Sequence, residues 1–179
     1  MINKRDIFSL GGLNLVNEII AMYKIDEDVK VLDIGCGSGY SVNYVSEKGF
    51  DATGIYSSEE IINLGKERYK DINIKVMDAN NLEFPNNYFD LILFECSLSV
   101  MKNSEKILGD CRKLLKKNGI ILLSDFFFKQ TGIYDDTYTL NYLNKLFGDL
   151  NFQVINFQDK SREWKNYLGM VLWEYGELS

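Results

Sequence analysis

Asp33 stands two residues ahead of a loop with glycine at every second position. In VLDIGCGSGY (residues 31–40) the bare positions are Gly35, Gly37 and Gly39. A tight turn from strand to helix needs only one glycine. Three at this spacing let a ligand approach the backbone closely, and a helix opening there aims its first N–H groups at the same ligand. Asp33 can also bond to the loop's own N–H groups. The spacing is G-x-G-x-G, with Tyr40 following, and so differs from the dinucleotide fingerprint G-x-G-x-x-G.

The rest of the composition narrows the chemistry. The chain has no histidine, which removes Ser-His-Asp and Cys-His catalysis and imidazole metal sites. No metal site is expected. A net charge of −6 argues against a nucleic-acid partner, because such binding rests on clustered Lys and Arg. Cys36, Cys96 and Cys111 are three in number and lack C-x-x-C spacing, so reduced thiols in a cytoplasmic protein are expected. No apolar run reaches the roughly 18 residues of a membrane span, and MINKRDIFSLGG lacks the apolar core of a secretory signal.

The elements that position these residues alternate. Residues 12–24 read as a helix with Leu15, Ile19 and Met22 on one face. Residues 30–34 read as a strand that feeds the glycine loop, followed by a helix over about 39–48 that Gly49 stops. DATGIY (51–56) reads as a second strand. Ser57 and Glu60 have capping-box spacing for a helix to about Tyr69. NIKVM (73–77) and YFDLILF (88–94) read as the third and fourth strands, the fourth apolar on both faces as a buried parallel strand should be. A helix over Ser104 to Lys117, ended by Asn118-Gly119, leads to a fifth strand at 120–124. A helix near 137–147, a strand at 152–157 and a last helix near 161–175 complete the chain. At 179 residues with 46% hydrophobic content, residues 1–179 make one α/β domain. Its expected architecture is a doubly wound, mostly parallel sheet with helices on both faces, and its ligand crevice lies at the carboxyl ends of the strands.

The acidic residue followed by G-x-G-x-G resembles motif I of the class I S-adenosylmethionine-dependent methyltransferases. MDANNLEFPNNYFDLILF (77–94) and LGDCRKLLKKNGIILLSD (108–125) are similar to two further blocks of that family, in the same order and spacing over residues 30–125. The small ubiquinone- and menaquinone-type enzymes are nearest in character. The resemblance implies a Rossmann-like methyltransferase fold with S-adenosyl-L-methionine as cofactor. It implies that Gly35, Cys36, Gly37 and Gly39 bring the backbone to the methionine and ribose of the cofactor, and that Asp33 orients the loop and helps hold the ammonium group. By the same resemblance, Asp78 accepts from the adenine amino group, the Ala79 N–H reaches a ring nitrogen and Glu95 lies near the methionine end. Asp78 could instead simply start the turn DANN, and Glu95 could be a solvated loop carboxylate.

Two departures stand out. Tyr56 occupies the place at the end of the second strand where the family usually has an acid for the ribose hydroxyls, with Ser57 next in line near the adenine. A phenol carries no charge at neutral pH. The family's last antiparallel strand has no counterpart either. Instead Trp164, Tyr167, Leu168, Val171, Leu172 and Tyr175 recur at helical spacing, a face for the domain's own core or for a homodimer. The expected function is methyl transfer from S-adenosyl-L-methionine to a small-molecule acceptor. The alternative is a cofactor-binding or partner-binding protein of the same fold without catalysis. No catalytic residue is assigned. Glu95, Asp125 and Tyr134 are the acid–base candidates, Cys96 a possible substrate contact, and Phe126, Phe127, Phe128 and Tyr134 an apolar wall.

Overall fold

The computed structural model describes residues 16–18, 21, 29–127, 139–162 and 165. Five strands form one sheet in the order β3-β2-β1-β4-β5, and every pairing is parallel. The elements are β1 (Lys30–Ile34), α1 (Tyr40–Glu47), β2 (Asp51–Tyr56), α2 (Glu59–Arg68), β3 (Ile74–Val76), β4 (Phe89–Glu95), α3 (Ser104–Leu114), β5 (Leu115–Ser124) and α4 (Leu140–Asp149). This is the expected α/β sheet. Because β1 pairs with both β2 and β4, the strand order reverses between β1 and β4, and the crevice of a doubly wound sheet opens at that point.

Alternation along the strands sorts the core into two layers. Leu32 and Ile34 of β1 join Ile92 and Phe94 of β4 under Ile107, Leu108, Cys111 and Leu114 of α3. Val31 of β1 joins Leu91 and Leu93 of β4 under Val42 and Val45 of α1 and Ile62 of α2. β4 is therefore covered on both faces, as its unbroken apolar run requires.

Four local expectations are corrected. The cap of α2 is Ser58, whose side chain accepts from the Ile61 N–H. The Ser57–Glu60 capping box does not form, and Ser57 is exposed. α3 ends at Leu114, not Lys117, because Leu115 already pairs with Phe89. Asn118-Gly119 is then an irregularity within β5, with Asn118 at φ 67°. Residues 152–160 contain no strand, and Val154, Ile155 and Phe157 are exposed. The helix near 137–147 is α4, two to three residues later. Most of residues 12–24 and of the last helix, with its aromatic stripe, lies outside the described residues, as do Phe128 and Tyr134.

Candidate functional site

The carboxyl ends of β1, β2, β3 and β4 carry the sequence-predicted residues to one edge of the sheet. At the end of β1 the backbone turns through the glycine loop. Gly35 and Cys36 both donate their N–H groups to Ile55 O of β2, at 2.9 and 3.1 Å, and the Gly39 N–H donates to Cys36 O. These bonds hold the loop by its own backbone. Among the described residues, the N–H groups of Gly37 and Ser38 have no backbone acceptor. Gly37 adopts φ 54°, the left-handed region that favours glycine, and a Cβ there would meet nothing within 4 Å. Gly35 and Gly39 are different. A Cβ on Gly35 would strike Ser97, and one on Gly39 would strike Ile72, each at 2.5 Å. Two of the glycines thus seat the loop and the middle one borders open space.

The loop also rests on α2 from behind, where a Cβ on Gly65 would come within 2.5 Å of the Ser38 carbonyl oxygen. Cys36 points back toward the sheet, since its Sγ would lie 2.7 Å from a Cβ on Gly54. Burial and the Asp33 charge push its thiol far up. Its N–H and side chain are both engaged inside the protein, so its assignment as a cofactor contact has no free donor behind it.

Asp33 is buried, 2% exposed. Among the described residues no loop N–H donates to its carboxylate, and its Oδ1 is buried without a hydrogen-bond partner. In the register, Asp33 pairs with Leu93. Glu95 lies two residues further along β4, so its side chain falls on the same face of the sheet. Glu95 is also mostly buried. Its Oε2 accepts from the Ser41 Oγ of α1 at 2.5 Å, and among the described residues its Oε1 has no partner. Burial first, and the Glu95 charge second, push the Asp33 carboxyl well above the usual range. Burial raises Glu95 as well, against the Ser41 hydrogen bond, which favours its charged form. Glu95 is therefore not a solvated loop carboxylate.

The β3 end differs. Asp78 is exposed, and its Oδ1 accepts from the Asn80 N–H at 2.8 Å and from Asn80 Nδ2 at 3.0 Å. These bonds hold its carboxyl below the usual value. Asp78 does open the DANN turn, with the Asn81 N–H donating to its carbonyl. The turn is tied to the start of α3, because Asn103 Nδ2 donates to Asn80 Oδ1 and Lys106 Nζ donates to Asn80 O. Ala79 is half-buried against the α3-side core. Tyr56, half-buried at the end of β2, packs on the α1-side core, and its carbonyl accepts from the Met77 N–H.

Beyond β4, Asp125 is committed to structure. Its carboxylate accepts from the Ser99 N–H, the Ser99 hydroxyl and the Phe126 N–H, which fastens the post-β4 loop to the end of β5. Cys96, at φ 48°, donates its N–H to Ser124 O, and its thiol is pushed up to about 12 by burial and by the charges of Asp125 and Glu95. Sequence reasoning missed Ser41 and Ser97. Ser97 Oγ donates to Ile34 O at 2.8 Å and locks the post-β4 loop onto β1. Their partners lie 54 and 63 residues away, and no local pattern marks them.

The arrangement suits a ligand with a cationic group. Unpartnered buried carboxyl oxygens are costly unless a donor or cation meets them, and the two here lie at the switch point beside open backbone N–H groups. The profile of the methyltransferase domain family matches residues 32–123, which is more than half of the 179 residues. Phosphoethanolamine N-methyltransferase of Plasmodium falciparum is 34% identical over 136 residues, covering 73% of this chain and 51% of that protein. A demethylmenaquinone methyltransferase of Thermotoga maritima is 30% identical over 96 residues, covering 52% of this chain and 42% of its own. The solved structure of Haemonchus contortus phosphoethanolamine N-methyltransferase 2, in complex with phosphomonomethylethanolamine and S-adenosylhomocysteine, superposes with a TM-score of 0.80. That match is at 20% identity, covers 97% of this chain and 47% of the other, and speaks for the fold alone. The chain spans about half of the length of these relatives, or less. The chain belongs to the methyltransferase domain family, the class I S-adenosylmethionine-dependent methyltransferases.

Proposed function

We propose that this chain binds S-adenosyl-L-methionine at the β1–β4 switch point and transfers its methyl group to a small-molecule acceptor. The observation that carries this reading is the pairing of buried, unpartnered carboxyl oxygens on Asp33 and Glu95 with the open space at Gly37. In this reading Asp33 and Glu95 receive the ammonium of the cofactor's amino-acid end. Gly37 and Ser38 offer N–H groups at the glycine loop, and the open space at Gly37 is left to the ligand. Tyr56 and Ser57 border the ribose and adenine, and Asp78 and the Ala79 N–H face the adenine edge. Bound there, the cofactor supplies an electrophilic methyl carbon. The protein's part is alignment and exclusion of water. No described residue is assigned as a general base, because the Asp125 carboxylate is occupied by Ser99 and Phe126.

A small acceptor is supported by the named relatives, which act on phosphoethanolamine and on demethylmenaquinone. One observation favours a second reading, that of a cofactor-binding protein without catalysis: Tyr56 sits where an acid would accept from both ribose hydroxyls. A single experiment separates the two. The full chain is titrated calorimetrically with S-adenosylhomocysteine and then supplied with methyl-labelled cofactor and either phosphoethanolamine or a reduced naphthoquinone. Binding with label transfer to one acceptor supports the proposal, whereas binding without transfer to any small molecule supports the second reading. Gly37→Ala serves as the control. Its φ of 54° makes an alanine cost about 1–2 kcal/mol, so the fold should survive while S-adenosylhomocysteine binding is lost. Unchanged affinity in that variant would remove the glycine loop from the site.

A further inference from the structure

Two carboxylates buried side by side, without a cation, cannot both stay ionised at low cost. Asp33 and Glu95 are in this position. They project from adjacent strands on one face of the sheet, beneath α1, and each carries a buried oxygen with no partner among the described residues. The groups that face them can be named element by element. α1 contributes the Ser41 hydroxyl, already donated to Glu95. β2 contributes Gly54 and Ile55 beside β1, neither of which titrates. The glycine loop contributes Cys36, and the segment after β4 contributes Cys96. The segment after β5 contributes Asp125, whose charge reaches Cys96. Among the described residues no lysine or arginine acts on either carboxyl.

We propose that Asp33 and Glu95 form one ammonium cradle, which holds a shared proton while no cation is bound and releases it when the amine of the cofactor enters. The inference rests on the proposed cofactor site and adds to it a proton count, with Ser41 aiming the Glu95 carboxylate. The balance is simple. A carboxyl O–H bond breaks, its proton passes to solvent, and the two carboxylates then accept from the incoming –NH3+ group. The net charge of the filled cradle is one negative unit, the same as in the protonated empty state. Affinity for the amino-acid end should therefore weaken as pH falls, because protons compete with the amine for one place.

The test is calorimetry of the full chain with S-adenosylhomocysteine at about pH 6.5, where a free α-amine is still protonated, in buffers of different ionisation enthalpy. The expected heat varies with the buffer and corresponds to release of about one proton per ligand bound. 5′-Methylthioadenosine, which has the nucleoside and the sulfur but no amino-acid end and so no α-amine, should bind with buffer-independent heat. The double variant Asp33→Asn with Glu95→Gln keeps the shape of the pair and cannot shed the proton. It should still bind 5′-methylthioadenosine, lose the proton release, and bind S-adenosylhomocysteine about thirtyfold or more weakly. Buffer-independent heat with S-adenosylhomocysteine in the wild type overturns the cradle and leaves the cofactor site standing, as does undiminished proton release in the double variant. Failure of both ligands to bind the wild-type chain overturns the cofactor site, and the cradle with it.

Discussion

The two ends of the crevice keep their carboxylates in opposite conditions. Asp78, after β3, is exposed and already bonded twice to Asn80, so its charge is settled before any ligand arrives. Asp33 and Glu95, at the β1–β4 reversal, are buried, and burial works against their charge. The first end is organised by a local turn that a short peptide could almost form. The second is organised only by the tertiary fold, in which the sheet and α1 bring residues 33, 41 and 95 together. A ligand at the Asp78 end gains from a group fixed in place and solvated. At the Asp33 end it gains by relieving a penalty that the empty protein carries.

The sharpest way to break this contrast is to neutralise each end in turn. Asp33→Asn should weaken S-adenosylhomocysteine by about 2–5 kcal/mol, the range for removing one partner of a buried charged contact. Asp78→Asn should cost clearly less, since solvent screens that carboxylate. Isothermal titration of both variants decides the order, and equal losses would show that burial is not what separates the two ends.

Between these ends lies Tyr56. If its hydroxyl faces the ribose, Tyr56→Asp should place a charged acceptor there and raise S-adenosylhomocysteine affinity by roughly tenfold, about 1.4 kcal/mol. If the ring instead packs under the adenine, the aspartate variant binds more weakly and Tyr56→Phe binds as well as wild type. Titrating the two variants side by side reads out which contact the position makes.

Stability against pH offers the mildest and most specific check. The folded-state pKa values of Asp33 and Glu95 are raised above the unfolded values of about 3.9 and 4.3. Their contribution is thus fully present below those values and is lost as pH rises through the folded ones. Asp78 and Asp110 are lowered, so their contribution is present above the unfolded value and is lost as pH falls. The ligand-free melting temperature should therefore decline on both sides of an optimum that lies between the lowered and the raised values. Asp33→Asn should flatten the limb toward neutral pH and leave the acid limb alone. Parallel limbs in mutant and wild type would contradict the burial assigned to Asp33.

What could be read from the sequence was whatever is encoded locally. The glycine spacing marked the loop, apolar runs marked β1, β2 and β4, and Gly49 marked the end of α1, because turns and periodicity act over a few residues. What failed depended on partners elsewhere. Helical periodicity through Leu114 and Leu115 reads past the true end of α3, yet pairing of Leu115 with Phe89 makes that residue a strand. The Ser57–Glu60 spacing suits a cap, but the backbone path places the neighbouring Ser58 at the helix start instead. The alternation in FQVINF suits a strand, but a strand needs a neighbour, and none pairs with it among the described residues. In the site, the glycine spacing marked Asp33 and the family resemblance pointed to Glu95, whereas their shared burial and the hydrogen bond from Ser41 exist only in three dimensions.

The contact between Gly65 and Ser38 carries a last consequence. α2 lies behind the glycine loop, away from the open space at Gly37, yet its backbone touches the loop's backbone with no room for a methyl group. A single added carbon on this helix would push Ser38 forward and shift the neighbouring N–H groups. Random mutagenesis scored for cofactor loss would flag Gly65 as strongly as a residue in the crevice. A map built from such hits would draw the binding site too large on this side, since the helix acts as a backstop and sets where the loop comes to rest.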